Sequence, residues 1–210
     1  MAQRPIPKSD YSEGRASEAV PLPDLDLVTQ VKAGHSEAFG ELVLRYQDRV
    51  FNTCWRICGN LDDARDLAQE AFLKVFENLA SFRQESGFYT WLFRVAVNLA
   101  LSQRRKDKRR REVSLDDPTT FSGTQAEALA RRSGRGASST DSNAETVALV
   151  VRGLNMLEDD YRAVIVLRDL EGFDYDEIGR ILEIPPGTVR SRLHRARMEL
   201  RRLIQSGATR

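Results

Sequence analysis

The chain has 210 residues, 41% hydrophobic and 30% charged, with a formal net charge of +1. That length suits one large or two small domains with real cores. No segment approaches the roughly 20 apolar residues of a membrane span, and the balanced total charge by itself gives no pointer to nucleic acid. The distribution of charge is more telling. Arg104, Arg105, Lys106, Lys108, Arg109, Arg110 and Arg111 crowd one segment with only Asp107 among them, and a second basic block runs over 190–202. Acids at 62–77 cancel the sum. Separate basic and acidic faces suit two partners, one polyanionic and one basic.

Residues 1–23 are polar and carry Pro5, Pro7, Pro21 and Pro23, so little fixed structure is expected there. The first eight residues lack the apolar core of a signal peptide, and a soluble cytoplasmic chain is the expectation. Asp24 can cap a short helix carrying Leu27, Val28 and Val31, which stops at Gly34. Ser36 can cap the next, with Phe39, Leu42, Val43 and Tyr46 on one side. It runs on through Val50, Cys54 and Ile57 to Gly59 and Asn60. Cys54 and Cys58 share a face with Phe51 and Trp55. With no second ligand pair nearby they read as small buried side chains rather than half a zinc site or a redox pair. A third helix from about Asp62 turns Ala64, Leu67, Ala68, Ala71, Phe72, Val75 and Leu79 inward. Asp66, Glu70, Leu73 and Glu77 face outward, with Asp62 and Gln69 beside them. Such an acidic face is either simply solvated or a partner surface.

Aromatic and arginine residues then interleave around a glycine-containing loop at 83–89, and a fourth helix begins near Thr90. Trp91 and Phe93 read as core. The loop itself could hold an unstacked base, because single strands are held by stacking on aromatics with cations along the backbone. Arg94, Asn98, Leu101 and Arg105 lie along one stripe of that helix.

From 112 to 146 periodicity fades into Pro, Gly, Ser and Thr, which reads as a linker, with a short helix possible at 125–131. After it, Ala163, Val164, Leu167 and Leu170 form an apolar face ended by Gly172. Asp174 and Glu177 have capping-box spacing. Tyr175, Ile178, Ile181 and Leu182 face inward. A last helix can start at Pro185–Pro186, since proline suits a first turn. Val189, Leu193, Ala196, Leu200 and Leu203 step by four and three along it. Ser191, His194, Arg195, Met198 and Arg202 fall opposite, flanked by Arg190 and Arg197. Short helices and a tight turn before a basic helix make a helix-turn-helix, with one side of the last helix free for a DNA major groove.

The stretches LRDLEGFDYDEI at 167–178 and GTVRSRLHRAR at 187–197 resemble the −35-binding domain of bacterial extracytoplasmic-function sigma factors. DARDLAQEAF at 63–72 resembles the segment of that family that docks on the polymerase clamp helices, and 81–98 resembles its −10-recognition segment. The family usually has Ser or Thr at the place of Asp174 and Ala at that of Gly179. The resemblance implies an all-α protein of two small helical domains joined by a flexible linker: a tail at 1–23, domain 2 at 24–111, a linker at 112–146 and a helix-turn-helix domain 4 at 147–207. It implies polymerase contacts from Asp66, Gln69, Glu70 and Leu73. It implies −10 contacts from Lys74, Phe82, Arg83, Phe88, Tyr89, Arg94 and Asn98, with Asn98 a base reader and Lys74 and Arg94 on the backbone. At −35 it implies Arg168, Thr188, Arg190, Ser191, His194 and Arg195. The expected partners are core RNA polymerase, promoter DNA and an anti-sigma factor. With no P-loop, paired acid and base or metal cluster, neither a catalytic activity nor a cofactor is expected. A stand-alone helix-turn-helix regulator would explain 154–203 but not the N-terminal domain. A recombinase would need a nucleophilic Ser or Tyr beside several Arg, which the chain does not offer.

Overall fold

The computed structural model describes residues 22–84, 86–113 and 141–207 and is all-α across them. The tail at 1–21 and the short helix expected at 125–131 lie outside the described residues. The first unit comprises α1 (Asp24–Lys32), α2 (Glu37–Cys58), α3 (Leu61–Glu77) and α4 (Phe88–Val113), with a 3-10 turn at Leu79–Ser81 before the loop into α4. The second comprises α5 (Asp141–Met156), α6 (Asp159–Ile165) running into one π turn (Val166–Leu170), α7 (Tyr175–Leu182) and α8 (Pro186–Gly207).

Local chemistry sets most of the boundaries. Gly59 ends α2 at φ 85°, where glycine carries no Cβ penalty, and its N–H closes on the Trp55 carbonyl. Asn60 then caps α3 by accepting from the Asp62 and Asp63 amides. Two expected caps differ. Neither Asp24 nor Ser36 caps its helix through its side chain. The Asp24 carboxylate is instead taken by Arg45 (2.6 Å) and the Tyr46 hydroxyl (2.5 Å), tying α1 to α2. Helix α5 also begins inside the stretch that reads as linker. Its first turn is polar, and a helix can start before its apolar stripe does; Val151 and Leu154 join the core further along.

The inward faces fill largely as the periodicity predicts, except that Leu170, expected beside Val164 and Leu167, lies at the end of the π turn and is 42% exposed. Leu42, Val50, Cys54, Ile57, Ala64, Ala71, Val75, Leu92 and Phe93 are buried in the first unit, and Val164, Leu167, Ile178, Ile181, Val189, Leu193 and Ala196 in the second. Cys54 and Cys58 are buried free thiols. Burial pushes the Cys58 thiol up to about 11, and that of Cys54 higher still. The two units do not stand apart on a tether. They pack against each other along α2 and α4 on one side and α5, α6 and α7 on the other, and their cores merge at Phe93 and Phe173.

Candidate nucleic-acid interface

The second unit builds its helix-turn-helix from a short cap and a close turn. The Asp174 carboxylate accepts from the Glu177 amide (2.7 Å), and the Glu177 carboxylate accepts from the Asp174 amide (2.9 Å), so the capping box is complete. At the far end of α7, Gly179 passes under the turn. A Cβ there would meet the Ile184 carbonyl oxygen at 2.8 Å. The turn places α8 with Val189, Leu193 and Ala196 inside and Arg190, Ser191, His194, Arg195 and Met198 exposed. Thr188 is half-buried at the helix start, and its carbonyl accepts from the Ser191 hydroxyl. Arg197 forks onto Asp169 and Arg192 reaches Asp160, so these two cations brace α8 on the π turn and on α6. Arg168 is half-buried; it donates to the Phe173 carbonyl and lies 5.2 Å over the Tyr175 ring, with Arg190 5.8 Å over the same ring.

In the first unit, Asp66, Gln69, Glu70 and Leu73 share the exposed face of α3. Leu73 is 61% exposed and Phe76, one turn on, is 44% exposed. The face therefore offers an apolar pair beside acids, and Phe76 belongs to it although the acidic pattern does not reveal it. Lys74 is spent locally, pairing with Glu70 at 2.8 Å.

The loop before α4 rests on an aromatic floor. Phe82 stacks on Trp91 at 4.9 Å, and Phe88 stands edge-on to both. Phe82 and Phe88 are 7% and 1% exposed. This corrects the expectation that their rings meet DNA: neighbours close off both, and they support the loop instead. Arg83 is exposed above them, and Gln84 takes a left-handed φ of 60°. Asn98 and Arg94 lie one turn apart on the exposed side of α4.

Several residues at the contact between units carry no periodic signal. Glu171, 8% exposed, accepts from Thr53 (2.9 Å), Arg49 (3.2 Å) and Arg56 (3.3 Å), while its carbonyl accepts from Arg49 (2.9 Å). Tyr89 stacks on Phe173 at 4.7 Å and 15°. Arg94 pairs with Glu183 at 3.5 Å, Thr90 donates to Glu177, and Arg104 pairs with Asp159. Arg162 is fully buried and donates to the Ile57 carbonyl and to Asn155. Desolvation, with the nearby Arg104 charge, pulls its guanidinium down to about 9. Burial likewise lowers Arg56, against the pull of Glu171. One signal was available: Arg49, Thr53 and Arg56 step by four and three along α2, a polar stripe that runs beside its apolar face.

An exposed basic recognition helix on a capped helix-turn-helix, joined to a second helical unit with an aromatic loop, defines a DNA-reading transcription factor of two parts. Comparison with known proteins makes the class specific. Residues 42–110 match sigma-70 region 2 and residues 148–200 match sigma-70 region 4. The chain is 39% identical over 191 residues to the ECF RNA polymerase sigma-E factor of Escherichia coli K12, covering 88% of this chain and 95% of that one. It is 36% identical over 181 residues to the ECF sigma factor SigW of Bacillus subtilis, covering 85% and 95%. Among solved structures, the sigma factor RpoE bound to the anti-sigma factor NepR from Bartonella quintana matches at TM-score 0.60 and 26% identity, over 80% of this chain and 96% of that one. CnrH in complex with the cytosolic domain of CnrY shares the fold at TM-score 0.63 and 24% identity, over 87% and 97%. The chain belongs to the extracytoplasmic-function sigma factors of the sigma-70 family: it directs core RNA polymerase to promoter DNA.

Proposed function

We propose a division of labour among the three surfaces described above. The unit at 24–111 docks on polymerase and holds the opened −10 strand, 112–146 connects, and the unit at 147–207 reads the −35 duplex. Asp66, Gln69, Glu70 and Leu73 dock on the polymerase, with Phe76 extending the apolar part. Asn98 reads a base of the −10 strand, and Arg83, Tyr89, Arg94 and Lys74 hold its loop and backbone. Arg190, Ser191, His194 and Arg195 enter the −35 major groove, with Thr188 and Arg168 at its edge. The observation that carries this reading is α8, buried on one side and offering arginine, serine and histidine on the other, held at a fixed angle by the Gly179 turn. The protein acts in the cytoplasm as a binding factor with no reaction of its own; among the described residues no helix is long and apolar enough to cross a membrane. An anti-sigma factor is its expected antagonist, by analogy with the Bartonella complex.

Run-off transcription with core polymerase, with start sites sequenced, tests the whole. Reversing both Asp66 and Glu70 to Lys is expected to abolish holoenzyme assembly with helicity unchanged; co-purification with core polymerase at physiological salt would refute the docking surface. Asn98→Ala is expected to alter base preference in the −10 element with little effect on core binding. Arg94→Ala should weaken all promoters alike, because phosphate contacts position without specifying. A stand-alone regulator would instead bind its duplex without polymerase.

A further inference from the structure

We propose that Lys32, the last residue of α1, is a positioning residue for the −10 strand: it pins the entry of the loop that precedes α4 and so sets how that loop meets a base. The pin acts on DNA only if the first unit holds the strand, as proposed above. Helix α1 has 9 residues, and both of its ends are tied. At its start Asp24 binds Arg45 and Tyr46 of α2, and Leu27 and Val28 are buried further along. At its finish Gly34 turns the chain away at φ 100°. Lys32 is thereby left in the last helical turn, where the helix dipole favours a cation. From there its amine donates to the Phe82 carbonyl at 2.7 Å and lies 5.8 Å from the centre of the Phe82 ring.

Two features make this more than a tie between neighbours. First, Phe82 is where the chain leaves the 3-10 turn and enters the loop. Its ring is already fixed by Trp91 and Phe88, so the freedom left at this point is rotation of the peptide that joins it to Arg83. Among the described residues no donor other than Lys32 reaches that carbonyl. A hydrogen bond from an ionised donor is among the stronger ones. A trans peptide sets its N–H opposite its C=O. Pinning the carbonyl toward α1 therefore turns the Arg83 amide to the other side and fixes the direction in which Arg83 and Gln84 leave. Second, Gln84 holds a left-handed φ of 60°, a conformation that residues with a Cβ keep only where their surroundings impose it. The ring stack and the Lys32 bond supply that constraint from the near side of the loop. Short of it, Arg83 and Gln84 sample other directions, and a base meets a loop that is not yet in place.

The test uses holoenzyme assembled from the full chain and core polymerase. Its probes are a premelted promoter fragment with the −10 strand randomised, sequenced after binding, and a duplex carrying only the −35 element. Lys32→Met keeps the apolar stem of the side chain and removes the amine. It is expected to assemble with core and to bind the −35 duplex as the unsubstituted chain does. It should lose affinity for the premelted strand by about tenfold, the scale of one base stack, and flatten the base preference there. Lys32→Arg keeps a cationic donor and should restore most of both. The slope of affinity against salt should not change, because a lysine that touched phosphate directly would take about one unit from it. An unchanged base preference in Lys32→Met overturns the pin. A salt slope lowered by about one overturns it in favour of direct phosphate contact. Equal losses in core assembly, −35 binding and −10 binding, with a lower melting temperature, overturn it in favour of general support of the fold. Asn98→Ala, measured alongside, separates the pin from the reading beneath it. If Asn98→Ala shifts the preference and Lys32→Met does not, the strand holder stands and the pin falls. If the unsubstituted holoenzyme shows no preference on the premelted strand, both fall.

Discussion

The two helices proposed to face DNA differ in what covers them. On α8 the proposed reading side is open: Arg190, Ser191, His194 and Arg195 are exposed, while Arg192 and Arg197 pair with Asp160 and Asp169 and brace the helix from its flanks. On α4 the corresponding side is partly closed, with Tyr89 under Phe173 and Arg94 beside Glu183. A duplex exists before the protein arrives, whereas a single strand exists only after melting. The surface proposed for the first is exposed, and the surface proposed for the second is partly covered by the other unit.

The most severe way to break this contrast is Phe93→Ala. Phe93 is fully buried beneath Tyr89 and against Phe173, so it supports the covered surface from both units. Loss of a buried phenylalanine costs about 3–5 kcal/mol. Thermal unfolding should shift down accordingly, and −10 function should fall further than −35 binding. Next, Arg195→Ala should lower promoter binding by the holoenzyme, and His194 substitutions should shift −35 preference by an amount within the roughly 1–3 kcal/mol of one base contact. Binding across single-base −35 variants checks this; a flat profile restored entirely by lower salt would mean that α8 supplies charge alone. Gly179→Ala is a smaller perturbation with a diagnostic sign. Helix propensity favours alanine by about 1 kcal/mol, but the Ile184 carbonyl lies 2.8 Å from the added Cβ. The variant should therefore melt earlier, not later, and weaken −35 binding.

The smallest effect lies at Tyr46, whose ring packs behind Tyr89 at 5.3 Å. Burial, and then the hydrogen bond to Asp24, raise the Tyr46 hydroxyl from 10 to about 12. Its folded value lies above its unfolded one, so its stabilisation is complete below pH 10 and is lost as pH rises through 12. Tyr46→Phe should flatten that alkaline decline in denaturant midpoints. A steepened decline would reverse the sign assigned to the Tyr46–Asp24 bond.

What the sequence reveals and conceals divides along physical lines. Period and capping chemistry are local, so the stripe of Val189, Leu193 and Ala196, the Asp174–Glu177 box and the acidic face of α3 were all legible. The period of a helix tells which side is inside, but not which distant helix provides the cover. Glu171 meets α2 across more than a hundred residues, and nothing near it announces that. The same limit applies to Phe82 and Phe88: aromatic and basic interleaving marks a loop as unusual without saying which rings face out. Asp24 shows the reverse error, a good local capper drawn away by a long-range partner.

Arg162 adds a dynamic consequence. Its guanidinium is wholly desolvated between α2 and α5, and two of its nitrogens, Nε and Nη2, find no acceptor among the described residues. When the units part, that group regains water. The interface thus carries a preload acting against itself: the pairs at Glu171 draw the halves together while Arg162 pushes back. A contact balanced in this way can be reversed by a modest competing affinity, and parting the units exposes both the charged groups around Glu171 and the rings of Phe93 and Phe173.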